Sequence, residues 1–191
     1  MLYAIWISFA VIFVAELGDK SQLMALTFAT RFRAMPILIG ITVATAVVHA
    51  VSVGVGVLLG AALPTFWISL VAAIAFFVFA AWTLRGDELS EEESDKALRT
   101  TRSAVIAAAT AFFLAELGDK TMLATITLAT KEDAFGTWLG STVGMVAADA
   151  LAIVVGQQLG KRLPERAVRI GASILFVVFG VWLVFEAFSN R

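Results

Sequence analysis

The stretch Ala15-Glu16-Leu17-Gly18-Asp19-Lys20-Ser21 decides how this chain is read, because it sets two carboxylates and an ammonium group inside an otherwise apolar segment. At Ala115-Glu116-Leu117-Gly118-Asp119-Lys120-Thr121, 100 positions later, nearly the same residues return in a second apolar segment. Charge at bilayer depth is costly, so an intramembrane ionisable cluster marks a functional site. Two copies of so costly a feature argue against accident.

The rest of the composition agrees with a membrane setting. The chain has 191 residues, of which 60% are hydrophobic and 15% charged, and its mean hydropathy is +0.93. These values fit an integral membrane protein and not a soluble domain. There is no cysteine, so disulfides and thiolate metal ligands are excluded. A net charge of -1 and a pI near 5.8 give no support to a nucleic-acid partner. The apolar N-terminus lacks the basic flank of a cleavable signal and runs straight into the motif, so it reads as a retained first span.

About 20 apolar residues are needed to cross the hydrocarbon layer, and six tracts come near that length. They run from about Tyr3 to Ala29, Pro36 to Leu63, Phe66 to Leu84, Ala104 to Thr130, Phe135 to Leu163 and Ala167 to Phe188. The segment from Arg85 to Arg102 holds six acids and four bases and reads as a solvated linker. On either side of it the halves align at a constant offset of 100. Between residues 15–30 and 115–130, ten of sixteen positions are identical, and the match continues through Gly40/Gly140, Thr42/Thr142, Gly56/Gly156, Gly60/Gly160, Phe79/Phe179 and Trp82/Trp182.

The expected fold is therefore an all-α membrane protein of six transmembrane helices, built as a duplicated three-helix unit: residues 1–84, a charged linker 85–102, and residues 103–191. An odd number of spans makes the second unit enter from the opposite side, as in transporters with inverted repeats. With both termini outside, the inner loops hold Arg31, Arg33, Arg85, Lys96, Arg99, Arg102, Lys161, Arg162, Arg166 and Arg169, against only Lys131 and Arg191 outside. The positive-inside rule thus places the termini outside and the linker in the cytoplasm. The glycine series at Gly56/Gly60, Gly136/Gly140/Gly144 and Gly156/Gly160 reads as close helix packing.

On a continuous helix Glu16, Asp19 and Lys20 share one face, as do Glu116, Asp119 and Lys120. Two such helices meeting across a pseudo-two-fold axis would gather four carboxylates and two ammonium groups near mid-membrane. Gly18 and Gly118 could let each helix unwind there and expose carbonyl oxygens. His49 and Asp149, partners under the repeat, lie at the same depth. His49 reads as an interior hydrogen-bonded histidine or a ligand; Asp149, with no lysine within a turn, reads as a ligand or proton carrier. Five acids against two lysines leave an excess of negative charge that protons or a divalent cation must neutralise. An oxygen-rich set suits hard cations such as Ca²⁺, Mg²⁺ and Mn²⁺ over zinc or copper. Met122, standing where the first half has Gln22, points away from the carboxylates on an intact helix. Ser21 and Thr121 could bond their own helix backbone or the cargo.

The duplicated Glu-x-Gly-Asp-Lys-(Ser/Thr) in a six-span chain with a charged central loop resembles the Gdt-type family, which includes transmembrane protein 165 of the Golgi and small bacterial manganese exporters. The resemblance covers nearly the whole chain. It implies an antiporter of three plus three helices that moves Mn²⁺, and in some members Ca²⁺, coupled to protons. It also implies metal handling by Glu16, Asp19, Glu116 and Asp119, with Lys20, Ser21, Lys120 and Thr121 completing the motifs. The expectation is an inner-membrane exporter of Mn²⁺, with Ca²⁺ as a secondary cargo, in exchange for protons, with the metal as substrate, no cofactor and no enzymatic activity. The rivals are a Ca²⁺/H⁺ antiporter, a passive cation channel and an intramembrane aspartyl hydrolase using Asp19 and Asp119 as a dyad. A dyad leaves the repeated glutamates and lysines without a role.

Overall fold

A computed structural model describes residues 1–85, 103–159 and 165–189. These form eight helices with no strand among the described residues: α1 (Leu2–Glu16), α2 (Lys20–Arg31), α3 (Ala34–Ala62), α4 (Thr65–Arg85), α5 (Ala104–Glu116), α6 (Lys120–Ala129), α7 (Ala134–Leu159) and α8 (Glu165–Ser189). Hydrocarbon offers no partner to a free N–H or C=O, which is why apolar segments of this length close their hydrogen bonds within a helix. Local chemistry sets the ends. Pro36 sits in the first turn of α3, and Leu63, directly before Pro64, is extended (φ -118°, ψ 145°), as the residue before a proline prefers. Ser103 caps α5 by accepting from the Ile106 N–H at 3.5 Å.

Among the described residues four helices are long and apolar enough to cross a membrane, at 34–62, 66–85, 134–154 and 170–189, and α1 with α2 makes a fifth if that bent pair is one span. The outward faces carry large apolar side chains such as Trp6, Val47, Leu58, Ile74, Val178 and Phe185. So much exposed apolar surface belongs against lipid.

One expectation needs correction, in both halves. The tracts expected as single helices over residues 3–29 and 104–130 are each two helices, broken at Leu17–Asp19 and Leu117–Asp119, and α1 and α2 meet at a bend of 75°. The physical cause is the glycine. Gly18 (φ 74°) and Gly118 (φ 79°) adopt a left-handed conformation that a right-handed helix cannot contain. The charged linker beyond Arg85, with Lys96, Arg99 and Arg102, lies outside the described residues, and so do Gly160, Lys161, Arg162 and the end of the fifth tract at Leu163.

The halves interlock. α1 packs chiefly along α7, and α5 along α3, so each half's first helix lies against the other half's long helix. Glycines make this close approach possible. A Cβ on Gly40 would stand 2.6 Å from the Val105 carbonyl oxygen, and one on Gly140 would collide with the carbonyl of Ile5, the residue equivalent to Val105. Further along, Gly56 abuts Ile126 and Ala129, and Gly60 abuts Thr130, so α5 and α6 together accompany α3 over most of its length. α4 and α8 form a separate pair joined by aromatic rings. Phe76 and Phe176 lie 5.9 Å apart, with Phe79 and Phe179 beside them, and Ser173 donates to the Ala80 carbonyl at 2.8 Å.

Candidate metal centre

Each helix break brings both carboxylates of its motif to one place. Glu16 and Glu116 end α1 and α5; Asp19 and Asp119 stand at the N-caps of α2 and α6 in extended conformation. The last carbonyls of one helix and the first N–H groups of the next therefore face the same spot, giving it a local field of both signs. The break is held by the side chain four residues past the glycine. Gln22 Oε1 accepts the Gly18 N–H at 2.8 Å, and in the second half Met122 Sδ accepts the Gly118 N–H at 3.2 Å. Met122 thus turns towards the break, because the helix that would have turned it away is not continuous. Gln22 also donates to the Ala148 carbonyl at 2.9 Å, tying the first break to α7.

Glu16, Asp19 and Lys20 do not share a helical face, since the break intervenes, and the lysines cross over between halves. Lys120 pairs with Asp19, and Lys20 lies 3.8 Å from Asp119. The two pairs are unequal: Lys120 and Asp19 are both buried, whereas the Lys20 side chain is 27% exposed. Ser21 donates to Glu16 and stands 3.0 Å from Asp19 Oδ2, and Thr121 donates to Glu116 at 2.5 Å. The motif hydroxyls thus serve the carboxylates. Each glutamate keeps one buried oxygen without a hydrogen-bond partner, Glu16 Oε2 and Glu116 Oε1.

Asp149 is fully buried, and neither of its carboxylate oxygens has a hydrogen-bond partner; it lies within electrostatic range of Asp19, Glu16 and Glu116. His49 is also fully buried, with Nδ1 3.5 Å from Thr142 Oγ1 and Nε2 unpartnered. Between them Thr45 meets Met145 at 3.4 Å. These two residues are equivalents under the repeat, so the contact marks where α3 and α7 cross.

The carboxylates are brought into one neighbourhood, as the sequence leads one to expect, but not into a finished coordination shell. Among the described residues no three acidic or imidazole groups stand close enough to hold one metal ion as placed. What the site does offer is acceptor oxygens without donors. Buried unpartnered carboxylate oxygens are costly, and a hard cation is the group that such oxygens suit.

Comparison with known proteins agrees. The sequence model of the family described as "Divalent cation/proton antiporter GDT1" matches twice, over residues 4–91 and 104–191. A Vibrio cholerae protein described as a "Putative manganese exporter" is 33% identical over 182 residues, covering 94% of this chain and 89% of its own length. A GDT1-like protein of Synechocystis is 28% identical, covering 95% of this chain and 96% of its own. The rice "GDT1-like protein 2, chloroplastic" is 30% identical over 95% of this chain, which spans 60% of that longer protein. No solved structure matches significantly. A family of transporters leaves the aspartyl hydrolase reading without support. The broken apolar helices, their crosswise ion pairs and the two-fold family match lead to one conclusion: the chain belongs to the GDT1 family of divalent cation/proton antiporters and is an integral membrane protein.

Proposed function

We propose that this protein exports Mn²⁺, with Ca²⁺ as second cargo, across the bacterial inner membrane in exchange for protons. The observation that carries the reading is the pair of motif glutamates, each buried at a helix break with one oxygen that no donor satisfies. Glu16, Asp19, Glu116 and Asp119 take the cation. Lys120 and Lys20 hold the aspartates in place while the site is without metal, and Ser21 and Thr121 orient the glutamates. Asp149 adds a fifth carboxylate that carries a proton or completes the shell, and His49 is its counterpart on α3.

In this reading residues 1–84 and 103–191 are inverted three-helix repeats, with α1–α2 and α5–α6 each crossing once as a broken span and 85–102 as the cytoplasmic linker. Three contacts support it. α5–α6 accompanies α3 in the same direction from Gly40 to Gly60, α1 accompanies α7 in the same direction from Gly136 to Gly144, and the two equivalent glycines meet equivalent residues. The excess of lysine and arginine in the inner loops favours termini outside. Alternating access follows if one interlocked set rocks against the α4–α8 pair.

Uptake of labelled Mn²⁺ and Ca²⁺ into proteoliposomes, with and without a pH gradient, tests the proposal. Mn²⁺ movement driven by the gradient, and lost in Glu16→Gln, is expected. Flux indifferent to the gradient would mean a channel, and Ca²⁺ transport exceeding that of Mn²⁺ would reverse the order of cargo.

A further inference from the structure

The two halves differ in a systematic way that the duplication alone does not explain. At the end of the molecule where α1 and α7 begin and α6 ends, Ser8, Ser52, Thr125, Thr137 and Ser141 are all buried. Their equivalents at the opposite end are Ala108, Ala152, Ala25, Ile37 and Ile41, buried as well and apolar at every position. The apolar end is sealed by one packed cluster in which Ile37, Ile41 and Ala108 meet Phe28, Phe112 and Ile153.

The hydroxyl end is buried as well, but its polar atoms are not all satisfied. Ser8 and Thr137 are fully buried with no hydrogen-bond partner. Ser52 and Thr125 donate to their own helices, to Val48 and Thr121 carbonyls, and so keep lone pairs to offer. Thr137, Ser141, Met145 and Asp149 form one row of α7, so the hydroxyls stop one turn short of the unpartnered carboxylate at the buried Met145; beside that thioether the polar atoms continue through Thr142 and His49, whose Nε2 has no partner. A buried hydroxyl without a partner is the kind of group that an ordered water satisfies.

We propose that these hydroxyls line a file of water molecules that joins the carboxylate cluster to the face where α1 and α7 begin, and that the opposite face has no such connection. The inference rests on the carboxylate site described above and adds which side reaches it by water. The occupant is water and the protons that move along it, not the cation in transit. A divalent cation leaves its hydration shell for charged or multiple oxygen ligands, and none of the five side chains is a carboxylate. The cation therefore needs the helices to move, while protons reach the cluster from one face through the structure as it stands.

The chain has no cysteine, so single cysteines report directly. In proteoliposomes Ser8→Cys and Ser141→Cys should react with methyl methanethiosulfonate, which is small and uncharged, at least tenfold faster than Ala108→Cys and Ile41→Cys, because a thiol ionises beside water and stays protonated in apolar surroundings. Equal rates at the two ends would overturn the proposal. Thr137→Val, which keeps the shape, provides a second measurement: Mn²⁺-driven proton movement should slow about tenfold with Mn²⁺ affinity unchanged, and Thr137→Ser should restore it. Thr83→Val removes a buried unpartnered hydroxyl elsewhere, on α4, and should change nothing. Normal proton movement in Thr137→Val, or loss of Mn²⁺ affinity in the same proportion, would count against the water file. A wild-type protein that fails to exchange Mn²⁺ for protons would instead refute the function proposed above, leaving the cysteine result to stand by itself.

Discussion

The crosswise ion pairs make unequal demands on their lysines, and the difference can be measured. In Lys120→Gln, Asp19 stays buried with the Ser21 hydroxyl still beside it. Removing one partner of a buried pair costs about 3–5 kcal/mol, since the other charge is left uncompensated. Lys20 lies 3.8 Å from Asp119 with its side chain 27% exposed, so water reaches this ammonium and takes its place beside Asp119 when it is removed, and the loss falls towards the roughly 0–1 kcal/mol of a solvated pair. Lys20→Gln should therefore be at least about 2 kcal/mol milder than Lys120→Gln, or roughly thirtyfold in the unfolding equilibrium constant, since 1.4 kcal/mol is tenfold. The double variant Asp19→Asn/Lys120→Gln removes both charges and should recover most of the lost stability, giving a coupling of about 2–3 kcal/mol. Denaturation in mixed micelles, followed by tryptophan fluorescence, gives these differences. Equal costs for the two lysines, or no recovery in the double variant, would show that Lys120 does not serve Asp19 across the halves.

Other substitutions examine the site and the scaffold separately. Glu16→Gln and Glu116→Gln should each lower Mn²⁺ transport at least about a hundredfold, since losing even a residue that only supports a metal ligand costs roughly ten- to a hundredfold, with unchanged expression and elution on size exclusion. Gly118→Ala meets no atom within 4 Å but must hold φ 79°, so it should destabilise by about 1–2 kcal/mol through the backbone alone. Gly140→Ala sets a Cβ against the Ile5 carbonyl and should cost about 1–3 kcal/mol by overpacking, whereas Gly54→Ala meets nothing and should be neutral or stabilising by up to about 1 kcal/mol. Phe76→Ala, at the centre of the α4–α8 ring cluster, should cost about 3–5 kcal/mol in the same micelle assay.

Much of this arrangement can be read from residues alone. The repeat at an offset of 100 announced both acidic stretches and the long helices α3, α4, α7 and α8, because apolar length is a strong signal in lipid. Gly18 and Gly118 hinted at unwinding, yet a single glycine is tolerated in many membrane helices, so the left-handed φ values needed coordinates. The exchange of Lys20 and Lys120 between halves was hidden for another reason. An i,i+4 spacing suggests a local pair, and only the packing of α1 on α7 and of α5 on α3 decides which carboxylate each ammonium reaches. Gln22 and Met122 were likewise obscure, since a thioether and an amide serve the same N–H only once the helix is broken. The hydroxyl asymmetry was legible in principle: reading Thr137 and Ser141 against Ile37 and Ile41 needs no structure, only the knowledge that all four positions are buried.

The interlocked packing has a consequence for how the chain is made. Asp19 enters the membrane 101 residues ahead of Lys120, and at a synthesis rate of about 5–20 residues per second that interval lasts on the order of 5–20 seconds. During it the leading carboxylates have no permanent counter-charge and α1 has no α7 to lie against. The nascent front half must wait, half assembled, in the insertion machinery or among lipid head groups, and it reaches its final shape only when the back half arrives to clasp it.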